Sequence, residues 1–193
     1  MLEFISGNVQ KLTPTYAVIE NSGIGYFVNI SLYTCEKLKQ NTSTTLLIHE
    51  IIREDTHELY GFIDEVERTM FRFLLSVSGV GANTARVILS KLSASEVATA
   101  IAGGNVQVLQ GIKGIGAKTA QRIIIDLKDK VSVGSQSLEI FVSQSNTLAQ
   151  EALSALIMLG FAKNSVEKIV QAIVSENSDA NVEDVVKTAL KRL

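Results

Sequence analysis

The most informative part of this sequence is the heptapeptide Gly79-Val80-Gly81-Ala82-Asn83-Thr84-Ala85, which recurs 35 residues later as Gly114-Ile115-Gly116-Ala117-Lys118-Thr119-Ala120. An apolar residue, Val77 or Ile112, stands before each copy, and a segment with the apolar period of a helix follows it. A repeated glycine-aliphatic-glycine turn between helical segments predicts two structurally equivalent hairpins.

The residue types in these turns are suited to binding phosphate. A helix begins with N–H groups that have no partner inside the helix and that carry the positive end of its dipole. Such groups bind phosphate without reading a base. The predicted phosphate-binding residues are the two hairpins and the basic side chains after them: Gly79, Val80, Gly81, Ala82, Asn83, Thr84, Arg86, Gly114, Ile115, Gly116, Ala117, Lys118, Thr119 and Arg122. The alternative is that both turns only connect helices.

Two other glycine motifs fit these residues less well. A dinucleotide fingerprint needs a third glycine and a preceding strand, whereas Thr84 occupies the third position and a helical segment comes before Gly79. A nucleotide phosphate loop needs lysine directly after its last glycine, but Ala117 separates Gly116 from Lys118. The sequence therefore predicts no bound cofactor.

The distribution of charge supports a phosphate-rich partner, although the total does not. The 193 residues include 20 acidic and 18 basic side chains, and a net charge of −2 argues against a nucleic-acid partner when taken alone. Residues 1–64 carry a net −4, residues 65–130 carry +4, and residues 131–193 carry −2. Both repeats lie in the basic segment, which favours phosphate binding there.

The composition predicts a globular protein of a reducing compartment. Hydrophobic residues make up 46% of the chain, which is enough for a core. Cys35 is the only cysteine, so a disulfide scaffold and a cysteine-rich zinc site are excluded, and we expect no metal site. The sequence shows neither a long apolar run nor the pattern of a signal peptide, so we expect a cytoplasmic protein without a membrane partner.

The flanking segments predict three further kinds of structure. Short β-rich runs at residues 2–9, 16–21, 25–31, 44–52 and 58–63, with short turns and no space for crossover helices, predict a small antiparallel barrel. Serine-rich residues 132–146 are typical of a linker. Residues 147–193 predict a module of three helices.

Capping residues place the starts of several helices. Asp64 with Glu67 and Ser93 with Glu96 fit the capping pattern, as do Thr147 with Gln150, Asn164 with Glu167, and Asn181 with Asp184. Gly103-Gly104 and Gly160 are expected to end two of the helices.

Several stretches occur along the chain in a characteristic order: Ile52-Arg53-Glu54-Asp55 with Leu59-Tyr60-Gly61-Phe62, Glu67-Arg68-Thr69-Met70-Phe71, Gly79-Val80-Gly81, Gly114-Ile115-Gly116 with Lys118-Thr119-Ala120, and Ala155-Leu156-Ile157-Met158-Leu159-Gly160-Phe161. This ordered set resembles the RuvA family of Holliday junction branch migration proteins. The resemblance covers essentially the whole chain.

The resemblance implies a multidomain α+β protein. It implies an oligonucleotide-binding (OB) type barrel with an acidic pin at residues 1–63, a tandem helix-hairpin-helix domain at 64–131, a flexible linker at 132–146, and a UBA-like C-terminal helical domain at 147–193. The implied function is non-catalytic, sequence-independent binding of four-way DNA junctions in recombination, DNA repair and the SOS response to DNA damage. The implied partners are further copies of the chain in a tetramer or octamer, a RuvB-like hexameric AAA+ ATPase and a RuvC-like resolvase in a bacterial cytoplasm.

The resemblance also implies roles for two other groups of residues. Glu54 and Asp55 correspond to the acidic pin at the junction centre, where carboxylates would repel phosphates and disfavour continuous duplex; otherwise they form a solvated hairpin tip. Leu156, Leu159 and Phe161 are candidates for contact with the ATPase, and the alternative is that they form the core of their own module.

Some residues depart from the family pattern or leave other functions open. Members commonly carry a lysine just after the second glycine of the hairpin, where the first copy here has Ala82-Asn83 and the second has Ala117 before Lys118. The alternatives are a helix-hairpin-helix glycosylase or nuclease and a general duplex-binding module. Asp126 and Asp129 suggest a solvated helix face rather than a catalytic pair, and His49 and His57 are expected to be isolated structural residues.

Overall fold

A computed structural model describes residues 1–132, 148–176 and 181–192 of the chain. The chain divides into two compact units, residues 1–138 and residues 139–193. The first unit contains a closed five-stranded barrel and the helices of the two hairpins, and the second contains helices only within its described part. The predicted α+β class with an OB-like barrel is therefore confirmed. Apart from Ser132, the predicted linker lies outside the described residues, and so does Thr147.

The barrel closes in the strand order β1-β2-β3-β5-β4. Its strands are β1 (Phe4–Leu12), β2 (Tyr16–Asn21), β3 (Ile24–Ile30), β4 (Ser43–Ile52) and β5 (His57–Phe62). Ser22 and Gly23 join β2 to β3 with φ angles of 52° and 83°, the two positive values that a tight hairpin of matching twist requires. Alternate strand residues, among them Ile19 and Val28, are fully buried inside the barrel.

Two features of the barrel differ from the sequence prediction. β3 pairs with β5 in parallel, with Val28 opposite Leu59, so the prediction of an antiparallel barrel was wrong for this pair, while the other four strand pairs are antiparallel. The short helix α1 (Leu32–Lys37) lies between β3 and β4, where no helix was expected. Parallel neighbours need a crossover connection, and α1 together with β4 supplies it. Six residues are too few for a helical period to stand out in the sequence.

The other helices of the first unit share a core that includes Tyr60 and Phe62 of β5, and a separate core lies inside the barrel. These helices are α2 (Glu65–Leu75), α3 (Ala82–Lys91), α4 (Ala94–Ala102), α5 (Val106–Gln110) and α6 (Ala117–Ser132). Phe71 of α2 packs on Tyr60 and Phe62 of β5, with ring centroids 5.1 and 4.9 Å apart. The two parts therefore pack as one compact unit. Two predicted caps are confirmed, because Asp64 accepts from the Glu67 N–H at 2.8 Å and Ser93 forms a full capping box with Glu96.

Glu67 is diverted from capping into the contact between α1 and α2. The residue is only 2% exposed, and its carboxylate accepts hydrogen bonds from the hydroxyls of Ser31 and, at 2.6 Å, Thr34. Desolvation by burial raises the pKa of Glu67 from 4.5 to about 7, although these two hydrogen bonds oppose the shift. The folded protein therefore holds this proton at pH values where the unfolded chain has released it.

We expect the free energy of unfolding to fall as pH rises from about 4.5 to about 7. The sign follows from the raised pKa, because the stabilisation is complete below the unfolded pKa and is lost as pH passes through the folded one. The whole shift corresponds to on the order of 3 kcal/mol. Urea unfolding near pH 5 and near pH 8 measures it. Glu67→Gln remains neutral and should show a smaller difference, so an equal pH dependence in both proteins would contradict the assignment.

The described part of the second unit contains α7 (Leu148–Met158), α8 (Lys163–Glu176) and α9 (Val182–Arg192). Gly160 adopts a φ of 96°, and the Phe161 N–H donates to the Leu156 carbonyl at 3.1 Å. This hydrogen bond and the positive φ are features of a Schellman motif, which confirms that Gly160 terminates the helix, whose last residue is Met158.

The predicted starts of the last two helices have different outcomes. Asn181 caps α9, since its Oδ1 accepts from the Asp184 N–H at 2.8 Å. The cap predicted at Asn164 was wrong, because α8 already begins at Lys163. Among the helices of residues 1–132, 148–176 and 181–192, none has the length and apolar character needed to cross a membrane.

Candidate nucleic-acid interface

The two glycine repeats fold into hairpins of the same conformation. The Val80 N–H donates to the Val77 carbonyl at 3.0 Å, and the Ile115 N–H donates to the Ile112 carbonyl at 3.1 Å. The first glycines of the two turns match closely, with φ angles of 90° at Gly79 and 91° at Gly114. Only glycine adopts this conformation without strain, so the repeat in sequence is a repeat in backbone geometry.

The second glycine of each hairpin is not required by the fold. Gly81 has φ −87° and ψ 170°, which any residue can adopt. A Cβ atom added at Gly81 or at Gly116 would meet no protein atom within 4 Å. The absent side chain therefore leaves the backbone open to close approach from outside the protein.

The helices that follow these glycines begin with N–H groups that are open to an acceptor. Gly81 offers no side-chain cap to α3, and the hydrogen bonding of the helix begins with the Ala85 N–H, which donates to the Gly81 carbonyl at 2.9 Å. The Ala120 N–H makes the same bond to Gly116 at 2.9 Å. The three N–H groups before Ala85, and the three before Ala120, have no acceptor inside their helix. Both helix starts therefore present donors together with the positive end of a dipole.

A cleft of about 480 Å³ runs between the first hairpin and α6. It is lined by Ser78, Gly79, Lys118, Thr119, Gln121, Arg122, Ile125 and Asp126. The Arg122 guanidinium donates to the Ser78 carbonyl at 3.4 Å, so α6 contacts the first hairpin directly. The structure thus brings Gly79 of one repeat together with Lys118, Thr119 and Arg122 of the other.

Arg86 lies apart from this cleft, against the barrel. Its Nη1 donates to the Thr15 carbonyl at 2.7 Å and to Asn29 Oδ1 at 3.3 Å. Its Nη2 donates to Asn83 Oδ1 at 3.2 Å. The sequence predicted that Arg86 binds phosphate because it lies just after the first hairpin. The acceptors that it contacts in the fold, Asn29 and Thr15, are 57 and 71 residues away along the chain and have no local signal.

The predicted acidic pin forms an exposed four-residue loop, Arg53–Thr56, between β4 and β5. The Arg53 N–H closes the loop by donating to the Thr56 carbonyl at 2.8 Å, and the side chains of Glu54 and Asp55 are exposed. Both carboxylates therefore stand at the tip of a strand hairpin.

Glu50, to which the sequence assigned no role, holds the base of this loop. Glu50 Oε1 lies 2.8 Å from Nε2 of His57, and its Oε2 accepts from the Leu2 N–H at 3.1 Å. The hydrogen bond with His57 is the main cause that lowers the pKa of Glu50. His57 is therefore not isolated, as the sequence suggested, but pairs with a carboxylate beside the acidic loop.

The other polar residues considered for chemistry are dispersed. His49 packs edge-on against Phe71 with centroids 5.5 Å apart, and burial lowers its pKa, which favours the neutral form of the ring. Asp126 and Asp129 are both exposed on α6. Within the described ranges, no three His, Cys, Asp or Glu residues come close enough together to hold a metal ion.

The predicted partner residues of the second unit divide into core and surface. Leu156 is fully buried with Ala152 and Val166 in the core of this unit, so we remove it from the predicted contact surface. Leu159 is 60% exposed and Phe161 36% exposed. Together with two exposed neighbours they form what we call the C-terminal apolar patch: Ile157, Met158, Leu159 and Phe161.

Comparison with protein families assigns almost the whole chain. Residues 1–61 match the RuvA N-terminal domain, residues 71–129 match a SAM-like helix-hairpin-helix tandem, and residues 147–193 match the RuvA C-terminal domain. The second match contains both glycine hairpins, and the first contains the acidic loop.

Curated relatives resemble the chain over its full length. The Holliday junction branch migration complex subunit RuvA of Christiangramia forsetii and that of Flavobacterium psychrophilum are each 48% identical to it, with complete coverage of both chains. The same subunit of Bacteroides fragilis is 47% identical, again with complete coverage. The chain therefore belongs to the RuvA family.

Proposed function

We propose that this protein binds four-way DNA junctions and holds them open for branch migration. The observation that carries the proposal is the pair of hairpins with equal backbone geometry, each with an open glycine at the start of a helix, in the same compact unit as an exposed acidic loop. Two equivalent phosphate-binding turns suit two successive contacts on duplex backbone. Every such contact is to phosphate, so the binding is independent of base sequence.

The roles of individual residues follow from their positions. The hairpins Gly79–Thr84 and Gly114–Thr119 donate backbone N–H groups to phosphates, and Lys118 and Arg122 add positive charge beside the cleft. Glu54 and Asp55 repel phosphates at the crossover and so keep the strands apart.

The proposal includes an assembly of several chains and a separate motor. The curated relatives are named as subunits of a branch migration complex. We propose a homotetramer, alone or paired as an octamer on the junction, which recruits a RuvB-like hexameric AAA+ ATPase while a RuvC-like resolvase cuts the DNA. The mass of the assembly, measured with and without a synthetic junction, tests this proposal, and a monomer in both conditions would contradict it.

The protein itself is proposed to be non-catalytic and to act in the bacterial cytoplasm. The alternative, a helix-hairpin-helix glycosylase or nuclease, would require a reactive group near the DNA, and its candidates are Asp126, which lines the cleft, and Asp129, which is exposed three residues further along α6. Incubation of the full chain with branched or damaged DNA and Mg²⁺ tests this point, because cleavage of the DNA would contradict the proposal.

We expect Leu159→Asp to weaken binding of a RuvB-like ATPase by at least about tenfold, because it places a charge within an apolar contact. Stability and junction binding should stay unchanged, since Leu159 is exposed. Leu156→Ala should instead lower the stability of the second unit by about 2–5 kcal/mol, because it opens a cavity in the core. Titration calorimetry with the ATPase and thermal unfolding measure the two effects. Wild-type affinity in the Leu159 variant would exclude the patch as the contact.

A further inference from the structure

A chain of hydrogen bonds connects the barrel to the first hairpin through Arg86. At the barrel end, Asn29 on β3 donates from Nδ2 to the Leu59 carbonyl on β5 at 3.2 Å. Asn29 Oδ1 and the Thr15 carbonyl accept from Arg86, which in turn donates to Asn83 in the first turn of α3. The connection therefore runs from the strand that follows the acidic loop to the helix that follows the first hairpin.

The chemistry of arginine fixes the orientation of the two asparagines. A guanidinium only donates hydrogen bonds, so each asparagine must present its Oδ1 to Arg86. The Nδ2 group of Asn29 is then used by Leu59. The Nδ2 group of Asn83 faces away from Arg86, on an exposed residue of the hairpin helix.

A second contact strengthens this junction between α3 and the barrel. The Leu32 N–H at the start of α1 donates to Ser90 Oγ at 3.1 Å, and Ser90 Oγ donates to the Arg86 carbonyl at 2.8 Å. The side chains of Arg86 and Ser90 are both partly buried. The orientation of α3 against the barrel is thus fixed at both the side chain and the backbone of Arg86.

We infer that Arg86 is a positioning residue, which sets the first hairpin against the barrel and orients Asn83 so that its Nδ2 donates to a backbone phosphate of the bound DNA. The inference rests on the proposed function and gives it a specific donor. A neutral amide replaces a cation at this hairpin, while Lys118 supplies a cation at the second one. The two hairpins of one chain would therefore bind phosphate with different dependence on salt.

Salt dependence distinguishes a positioning residue from a phosphate ligand. Each cation that neutralises a phosphate contributes about 0.9 to the slope of log affinity against log salt. Removal of a positioning residue lowers affinity but leaves this slope unchanged. Lysine also separates the two roles, because it retains the charge of arginine but not the planar fork that reaches several acceptors.

The experiment measures binding of the full chain to a synthetic four-way junction by fluorescence anisotropy at several NaCl concentrations. The proteins are wild type, Arg86→Met, Arg86→Lys, Asn83→Ala, the double variant Arg86→Met with Asn83→Ala, and Lys118→Met as a reference phosphate ligand. Thermal unfolding shows whether each variant is folded. If the Arg86 variants do not fold, Asn83→Ala alone still tests the inference.

We expect both Arg86 variants to weaken binding by about threefold to tenfold with the wild-type salt slope. Lys118→Met should reduce the slope by about 1. Asn83→Ala should weaken binding in the wild type and have little further effect on Arg86→Met, because the two residues act as a unit.

Three results would overturn the inference. They are wild-type affinity in Arg86→Lys or in Asn83→Ala, a slope lowered by about 0.9 in Arg86→Met, or additive effects of the Arg86 and Asn83 substitutions. A wild-type chain that binds junction and linear duplex equally would overturn the proposed function itself, and the inference with it. Preference for the junction in the wild type, together with any of the three results, overturns the inference alone.

Discussion

Gly81→Val combined with Gly116→Val should weaken junction binding by about 100-fold or more. The free energy of unfolding should fall by only about 1–2 kcal/mol, the typical effect of an unfavourable residue at an N-cap summed over two helices. The fold has space for an added Cβ at these positions, since that atom would meet no protein atom within 4 Å. A phosphate bound to the first N–H groups of α3 and α6 would occupy the same space. Fluorescence anisotropy with a synthetic junction and urea unfolding measure the two quantities.

Two controls separate this steric effect from a loss of structure. Gly25→Val adds the same side chain to an exposed strand position with ordinary φ, where the nearest atom to the new Cβ lies at 3.4 Å, so binding should remain normal. Gly79→Ala should lower stability by about 1–2 kcal/mol, because alanine is strained at a φ of 90°. If the double variant Gly81→Val with Gly116→Val bound the junction with wild-type affinity, the hairpins would not be the site of DNA contact.

Glu54→Gln combined with Asp55→Asn should raise affinity for linear duplex by about tenfold and reduce the preference for the junction. Two exposed carboxylates at the tip of the β4–β5 hairpin repel a continuous backbone, and their neutral isosteres do not. The gain should shrink as salt is added, since exposed charges are screened.

The matched control for this change is Glu36→Gln, which removes an exposed carboxylate from α1 instead of the acidic loop. It is compared with the single variant Glu54→Gln, which loses the same one charge, because a change in total charge alone would affect the two variants equally. We expect duplex affinity to rise only for the loop variants. Unchanged duplex affinity after both loop substitutions would mean that Glu54 and Asp55 form a solvated tip without a role in selection.

The hairpins could be predicted from the sequence because their determinants are local. Gly79 and Gly114 follow an apolar residue at the same spacing, and local spacing decides both the turn and the start of the next helix. The same holds for the caps at Asp64 and Ser93, which involve residues three positions apart.

The features that the sequence did not reveal depend on contacts between distant residues. From its position in the sequence Arg86 is a cation of the first hairpin, but in the fold it donates to the Thr15 carbonyl of the barrel. The sequence likewise indicates a capping role for Glu67, but in the fold its carboxylate accepts from Thr34 of α1. The parallel pairing of β3 with β5 likewise has no local signal, because it follows from the closure of the barrel. In the second unit, the helical period marked Leu156 and Leu159 alike as apolar, and only the packing separates core from surface.

The ratio of dissociation constants for a four-way junction and for linear duplex of the same arm sequences tests the central claim most directly. It can be measured by gel shift with the full chain at one fixed salt concentration, because phosphate contacts make both constants depend on salt. We expect the junction to bind at least about tenfold more tightly, a difference of about 1.4 kcal/mol. Equal dissociation constants would contradict selection of the junction and would leave a general duplex-binding module in its place.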